Sequence, residues 1–163
     1  MRMKYIITEQ QYRLLKEETE EILEFPFKMF NNDWNFLQEY LEMIGNPPYK
    51  IIGDLNLIWS NVKSLGSLMS VDGGLNLENS DIESLGGLQY VGGDLDLRYT
   101  SIKSLGNLQY VGGSLDLEYT NITSLGNLKY VGGYLGLKNA PVSRTTTDDE
   151  IRSQVKVERG IYF

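Results

Sequence analysis

A chain of 163 residues is long enough for one well-cored domain, and its 41% hydrophobic and 23% charged content is that of a folded protein rather than a disordered one. It contains neither cysteine nor histidine, which excludes disulfides, thiolate nucleophiles, the usual zinc sites and every Ser-His or Cys-His catalytic arrangement. A net charge of −7 sets it against nucleic acid and anionic membranes as partners, and no apolar run approaches the ~18 residues of a membrane span.

The N-terminal stretch, Met1 to Thr8, has a basic pair but no long apolar segment and no small-residue cleavage site, so no secretion signal is expected. Thr8 with Gln11 reads as a capping box opening a helix. Tyr12, Leu15, Ile22 and Leu23 give it a loose apolar stripe until Pro26 stops it. A second helix is predicted from about Asp33 to Ile44, because Trp34, Leu37, Leu41 and Ile44 share one helical face and Gly45 follows. Phe36, Tyr40 and Met43 form a neighbouring apolar stripe on it. That surplus is expected to cover the first coil and the first helix, with self-association through the N-terminal helices as the alternative. Residues 1–50 are thus read as a helical N-terminal cap.

From residue 51 to residue 140 one pattern repeats every twenty residues. Leu55, Leu75, Leu95, Leu115 and Leu135 form one column, and Leu57, Leu77, Leu97, Leu117 and Leu137 follow two places behind. Val62, Ile82, Ile102, Ile122 and Val142 form another, as do Ile51, Val71, Val91, Val111 and Val131. The Leu65 and Leu68 positions recur in three further copies each. Each Leu-x-Leu alternates with period two, which predicts a short strand with both leucines inward. Ser, Thr and Asn then mark a turn, and Leu-Gly marks a corner where glycine supplies positive φ. A second corner falls at Gly73, Gly93, Gly113 and Gly133, with Gly53 opening the series. Successive strands should therefore lie side by side in a parallel sheet advancing about 4.8 Å per coil. A lone coil buries too little to fold, so stability must come from stacking and both ends need caps.

After the last coil, Thr146 to Glu150 predicts a short helix through about Gln154. Val157, Ile161 and Phe163 are spaced as Val111, Leu115 and Leu117 are, so a final strand is expected at Ile161 to Phe163. Residues 141–163 form the C-terminal capping coil in this reading. The fold class is an α+β repeat solenoid with a helical N-terminal cap and a helix-strand C-terminal cap.

The run Val111-Gly-Gly-Ser-Leu-Asp-Leu-Glu-Tyr-Thr-Asn-Ile-Thr-Ser-Leu-Gly-Asn-Leu128 resembles leucine-rich repeats of the receptor-L-domain kind. It departs from the commonest form, since Ser60, Ser80, Thr100 and Thr120 stand where Asn is usual. The stretches Met3 to Tyr12 and Glu150 to Phe163 are similar to uncharacterised leucine-rich-repeat proteins of tailed bacteriophages. This resemblance implies a phage-encoded protein, located in the cytoplasm of an infected host or in the virion. It brings no catalytic motif, and fold alone does not give function.

Function is expected on the outer side of the strand sheet, where packing does not dictate residue type. The candidate binding residues there are Trp59, Glu78, Asp96, Arg98, Tyr99, Asp116, Glu118, Tyr119 and Tyr134. Aromatics among mixed charges are what protein interfaces favour; covering the strand-to-turn corner is the competing role. For Tyr90, Tyr110 and Tyr130, with Ser70 interrupting the column, mutual packing is expected. The Ser60 and Ser64 columns are expected to satisfy turn amides. Asp96 and Asp116 should have backbones about 4.8 Å apart, a separation that retaining glycosidases also use. Repetition alone produces that spacing, however, and no deep groove is expected. A Ca²⁺ site at Asp94, Asp96, Asp116 and Glu118 satisfies the oxygen count, but a solvated acidic face is the stronger expectation. Nucleic-acid mimicry fits poorly. Six acids (Asp54, Glu78, Asp94, Asp96, Asp116, Glu118) against Arg98 and Lys138 leave about −4 over roughly 19 Å of coils, where duplex DNA carries about eleven charges. No cofactor or metal is implied. The expectation is a non-enzymatic protein–protein interaction module for a phage or host protein. A structural virion component and a polysaccharide-binding or weakly hydrolytic solenoid are the alternatives.

Overall fold

A computed structural model describes residues 22–163. The expected capping box at Thr8 and Gln11 and the helical positions Tyr12 and Leu15 lie outside the described residues. The architecture is the expected repeat solenoid, with two parallel sheets in place of the one predicted.

Seven strands form the first sheet: β1 (Leu23–Pro26), β2 (Tyr49–Ile52), β4 (Leu68–Val71), β6 (Tyr90–Val91), β8 (Tyr110–Val111), β10 (Tyr130–Val131) and β12 (Lys156–Val157). Six form the second: β3 (Leu55–Asn56), β5 (Leu75–Asn76), β7 (Leu95–Asp96), β9 (Leu115–Asp116), β11 (Leu135–Gly136) and β13 (Ile161–Tyr162). Each coil gives one strand to each sheet. Equivalent residues lie in register, Val91 beside Val111 and Leu95 beside Leu115. The valine column read from the sequence as core is thus also a strand, formed by a β-branched residue next to tyrosine. The leucine, isoleucine and valine columns are buried throughout, and together they make one continuous core.

The two corners of a coil need glycine for different reasons. At Leu-Gly the expectation holds: Gly66, Gly86, Gly106 and Gly126 have φ between 57° and 59°. At the Gly-Gly corner only Gly53 has positive φ, 86°. The later glycines there are required by close approach instead. A Cβ on Gly93 would lie 2.8 Å from the Gly74 nitrogen, and one on Gly112 would fall inside contact distance of the Gly92 carbonyl. The backbones touch because Gly112 N donates to Val91 O (2.8 Å) and Gly113 N to Gly93 O (2.9 Å) across the same corner.

The hydroxyl columns divide. Ser64, Ser84, Ser104 and Ser124 accept from the amide two residues on, as expected. Ser80, Thr100 and Thr120 instead donate to the carbonyl three residues back, at 2.6–2.7 Å, in buried surroundings. Their hydroxyls satisfy carbonyls, and Thr120 also accepts from the Ile122 amide at 3.5 Å, the turn role expected of the column.

At the N-terminal end, helix α1 (Trp34–Met43) matches the prediction, with the Asp33 carboxylate accepting from the amides of Asn35 and Phe36. Leu23 does not continue a helix, as its apolar stripe suggested. Leu23–Pro26 is a strand paired in parallel with Tyr49–Ile52, so the cap contributes a layer of sheet as well as helix. Its Phe25, and Phe30 of the 3-10 turn Phe27–Phe30, meet Tyr40 at ring distances of 5.8 and 5.5 Å. Phe36 sits 5.5 Å from Phe30. The surplus stripe on α1 therefore packs within the cap, and Met43 is its exposed member.

At the other end, helix α2 (Asp148–Gln154) opens with a complete capping box between Thr147 and Glu150, and β13 pairs with β11 as expected. Arg152 then closes the edge of the first sheet. In the inner joint Glu158 N takes Val131 O and Arg159 N takes Gly133 O. One layer further out, the register-equivalent carbonyls of Val157 and Arg159 accept from the Arg152 guanidinium at 2.8 and 3.0 Å. A single side chain stands in for the amides of a following coil. No helix among the described residues is long and apolar enough to cross a membrane.

The contrast between the two glycine corners is testable. Gly112→Ala is expected to destabilise by about 1–3 kcal/mol, since the new methyl meets backbone that cannot move alone. Gly106→Asn, at a positive-φ corner with nothing within 4 Å, is expected to stay within about 1 kcal/mol of the parent in equilibrium denaturation.

Candidate functional site

The candidate site is the outer face of the second sheet. The position between the two leucines is Asn56, Asn76, Asp96, Asp116 and Gly136 in successive coils. In the first four, the side-chain oxygen accepts from the backbone amide two residues on, at 2.9–3.1 Å. These side chains end each strand by satisfying the amide that turns away from it, so Asp96 and Asp116 first serve the fold.

The residue just before the first leucine also ties coils together. Asp54 Oδ1 accepts from Gly74 N at 2.8 Å, Asp94 Oδ1 from Ser114 N at 2.6 Å, and Ser114 Oγ from Tyr134 N at 3.1 Å. Asp94 is therefore turned along the coil axis. Among the described residues no three acidic side chains come together as metal ligands, which sets aside the Ca²⁺ arrangement of Asp94, Asp96, Asp116 and Glu118.

Arg98 is the charged centre of the face. It chelates Asp96 with contacts of 2.6–3.1 Å and reaches Glu78 (3.3 Å) one coil back and Asp116 (3.4 Å) one coil forward. Hydrogen bonding to Asp96 holds the guanidinium in its charged form, well above its ordinary pKa, and the neighbouring carboxylates add to this. Burial raises the Asp116 carboxyl above its ordinary value. The Glu118 amide opposes that rise, and the nearby Glu118 and Asp96 charges reinforce it.

The second residue of the turn after each strand carries the aromatics. Trp59, Asn79, Tyr99, Tyr119 and Asn139 all have φ between 54° and 60°, a left-handed corner repeated in every coil. Left-handed φ costs a non-glycine residue about 1–2 kcal/mol, least for Asn, whose short polar side chain tolerates it. Asn79 and Asn139 are thus the residues the backbone favours. Trp59, Tyr99 and Tyr119 are not, and they remain 73%, 51% and 41% exposed. Tyr99 and Tyr119 stack on each other with ring centroids 4.8 Å apart and planes at 12°.

The nine candidates therefore fall into groups. Glu78, Asp96, Arg98 and Asp116 form one ion-pair cluster spanning three coils, with Tyr99, Tyr119 and Glu118 beside it. Trp59 stands two coils, about 10 Å, from Tyr99, with Asn79 between. Tyr134 is not joined to the cluster. It packs 5.4 Å from Tyr162 and lies under the Arg159 guanidinium, 5.3 Å from its ring centre. Arg159 and Tyr162 were not among the sequence candidates. Their signal was the register of the last strand, which sets Tyr162 beside Gly136 on this face. On the first sheet, Tyr90, Tyr110 and Tyr130 stack at 4.8 and 4.7 Å, the mutual packing expected of them. Ser70 interrupts the column as a buried side chain.

Comparison with protein-family models, curated proteins and solved structures finds no match to the chain.

The raised Asp116 pKa has a signed consequence. A carboxyl whose folded pKa exceeds its unfolded value favours the fold at low pH, and that contribution is lost as pH rises through the folded pKa. Asp116→Asn keeps the acceptor for the Glu118 amide, as Asn56 and Asn76 do in their coils. It is expected to match or exceed the parent's melting temperature at neutral pH, with the advantage fading as pH falls through the carboxylate range. Asp116→Ala is expected to lose about 1 kcal/mol at either pH, because the Glu118 amide loses its acceptor.

Proposed function

We propose that this protein is a non-enzymatic protein-binding module working through the outer face of its second sheet. One observation carries the reading. Three coils place a large aromatic at a left-handed corner where the backbone favours asparagine, and leave that aromatic exposed. A strained backbone position carrying an exposed aromatic is what a site retained for contact exhibits. Tyr and Trp are also the residues that dominate binding energy in protein interfaces. Around them Glu78, Arg98, Asp116 and Glu118 supply a polar rim. The resemblance at both ends of the chain to tailed-phage proteins supports a phage-encoded protein, with a phage or host protein as partner.

The carboxylate pair Asp96 and Asp116 supports hydrolysis less well. Each has an oxygen engaged by a backbone amide, and Asp96 is chelated by Arg98. Both roles are accounted for by the fold.

The test replaces Trp59, Tyr99 and Tyr119 together with asparagine, the residue that neighbouring coils already carry at this position. Immobilised parent protein is expected to retain a defined partner from lysate of the host, and the triple variant to lose it with an unchanged circular dichroism spectrum. Retention of the same partner by both proteins would place the interface elsewhere.

A further inference from the structure

The second sheet's outer face also specifies the chemistry of what docks there, an inference that rests on the reading of that face as a binding surface. Its acids are Asp54, Glu78, Asp94, Asp96, Asp116 and Glu118, against Arg98, Lys138 and, at its end, Arg159. Internal pairing does not cancel this excess, because the three carboxylates around Arg98 share one cation. Glu118 makes no ion pair among the described residues and adjoins Tyr119. A partner surface of negative charge is repelled by this arrangement, and a positive one is drawn to it.

The aromatics narrow the choice further. Stacking occupies one face of the Tyr99 ring and one face of the Tyr119 ring. The opposite faces look along the coil axis toward Asn79 and Asn139, whose side chains are short. An exposed tyrosine face with carboxylates beside it is suited to a guanidinium, which can lie flat on the ring while its edge donates to a carboxylate. The chain already contains cations set against tyrosine rings. Arg159 lies 5.3 Å from the Tyr134 ring centre at the end of this same face, and Lys156 lies 5.7 Å from Tyr130 on the neighbouring sheet.

We propose that the face docks a basic protein segment. An arginine of the partner lies on the open face of Tyr99 or Tyr119, with Glu78 and Glu118 as its counter-ions. Direct contact to the already chelated Arg98 is not required. Arg98 instead fixes the Glu78, Asp96 and Asp116 side chains, so the charge pattern is set before the partner arrives.

The probe is a short fluorescent peptide of alternating glycine and arginine, read by anisotropy against the full chain. A peptide with glutamate in place of arginine serves as the comparison. The arginine peptide is expected to bind and the glutamate peptide not, with affinity falling as salt rises. Tyr99→Asn and Tyr119→Asn should each weaken binding by about 2–5-fold, while Tyr→Phe at either position keeps it. Glu78→Gln with Glu118→Gln should weaken it as well. Glu39→Gln with Glu42→Gln, on exposed positions of α1, should leave it unchanged. Equal loss in the α1 pair and the face pair would show diffuse charge attraction and overturn the proposal. Absence of arginine-peptide binding, or insensitivity to both tyrosine substitutions, would overturn it too. If a partner captured by the parent is nevertheless lost by the triple asparagine variant, the face remains a binding surface and only its preference for arginine fails. Should that capture survive the triple variant, the reading of the face itself falls.

Discussion

Everything in this molecule depends on how closely one coil's backbone lies on the next. At the Gly-Gly corner the amides of one coil donate to the carbonyls of the previous one, at distances that leave no room for a Cβ between them. That contact sets the step between coils. The step then brings strands into register in both sheets, stacks each leucine on its equivalent, and delivers the same outward position once per coil. A solenoid of this kind has few long-range contacts other than those between neighbours, so its stability is a sum over joints. The ends are where that sum must be terminated. Arg152 does so at one edge by taking the carbonyls of Val157 and Arg159 with its side chain; at the other, Leu23–Pro26 is the outermost strand among the described residues.

The same step explains the shape of the candidate site. Equivalent side chains fall nearly 5 Å apart, which suits stacked rings and lets one arginine span three carboxylates. Much of what looks chemically active on this face is first a backbone device. The Asn and Asp side chains between the leucines end strands, and Asp54 and Asp94 tie one coil to the next. What the fold leaves unexplained is the aromatic at the left-handed corner. Trp59, Tyr99 and Tyr119 occupy a conformation that Asn79 and Asn139 adopt more cheaply, and all three stay exposed, Trp59 most of all.

Most of the solenoid was legible in the sequence, because a twenty-residue period with leucine at fixed places allows few other arrangements. The helix ends were legible as well, through Asp33, Gly45 and Thr147. The first sheet was not, since a single valine per coil shows no alternation from which to infer a strand. Leu23 was misplaced because a four-residue strand at the edge of a helical stretch carries too short a pattern to be separated from it. The reason for the Gly-Gly corner was hidden because close approach and positive φ both select glycine. At the site, the aromatics could be named from the sequence, but the decisive feature could not. Only the backbone angle at Trp59, Tyr99 and Tyr119 separates a residue that covers a corner from one that strains it. A hint was present in the column itself, where Asn79 and Asn139 share the position with Trp59, Tyr99 and Tyr119.

If the sheet face is a binding surface, Trp59, Tyr99 and Tyr119 are retained at the expense of the fold rather than for it. Equilibrium denaturation of the parent and of the triple asparagine variant tests it most directly, because asparagine is already the native solution at two of the five corners. The expected unfolding midpoint is equal to or above the parent's, with an unchanged slope. A midpoint clearly below the parent's would show that Trp59 and the Tyr99–Tyr119 stack hold the solenoid together. That result would contradict the assignment of this face to binding.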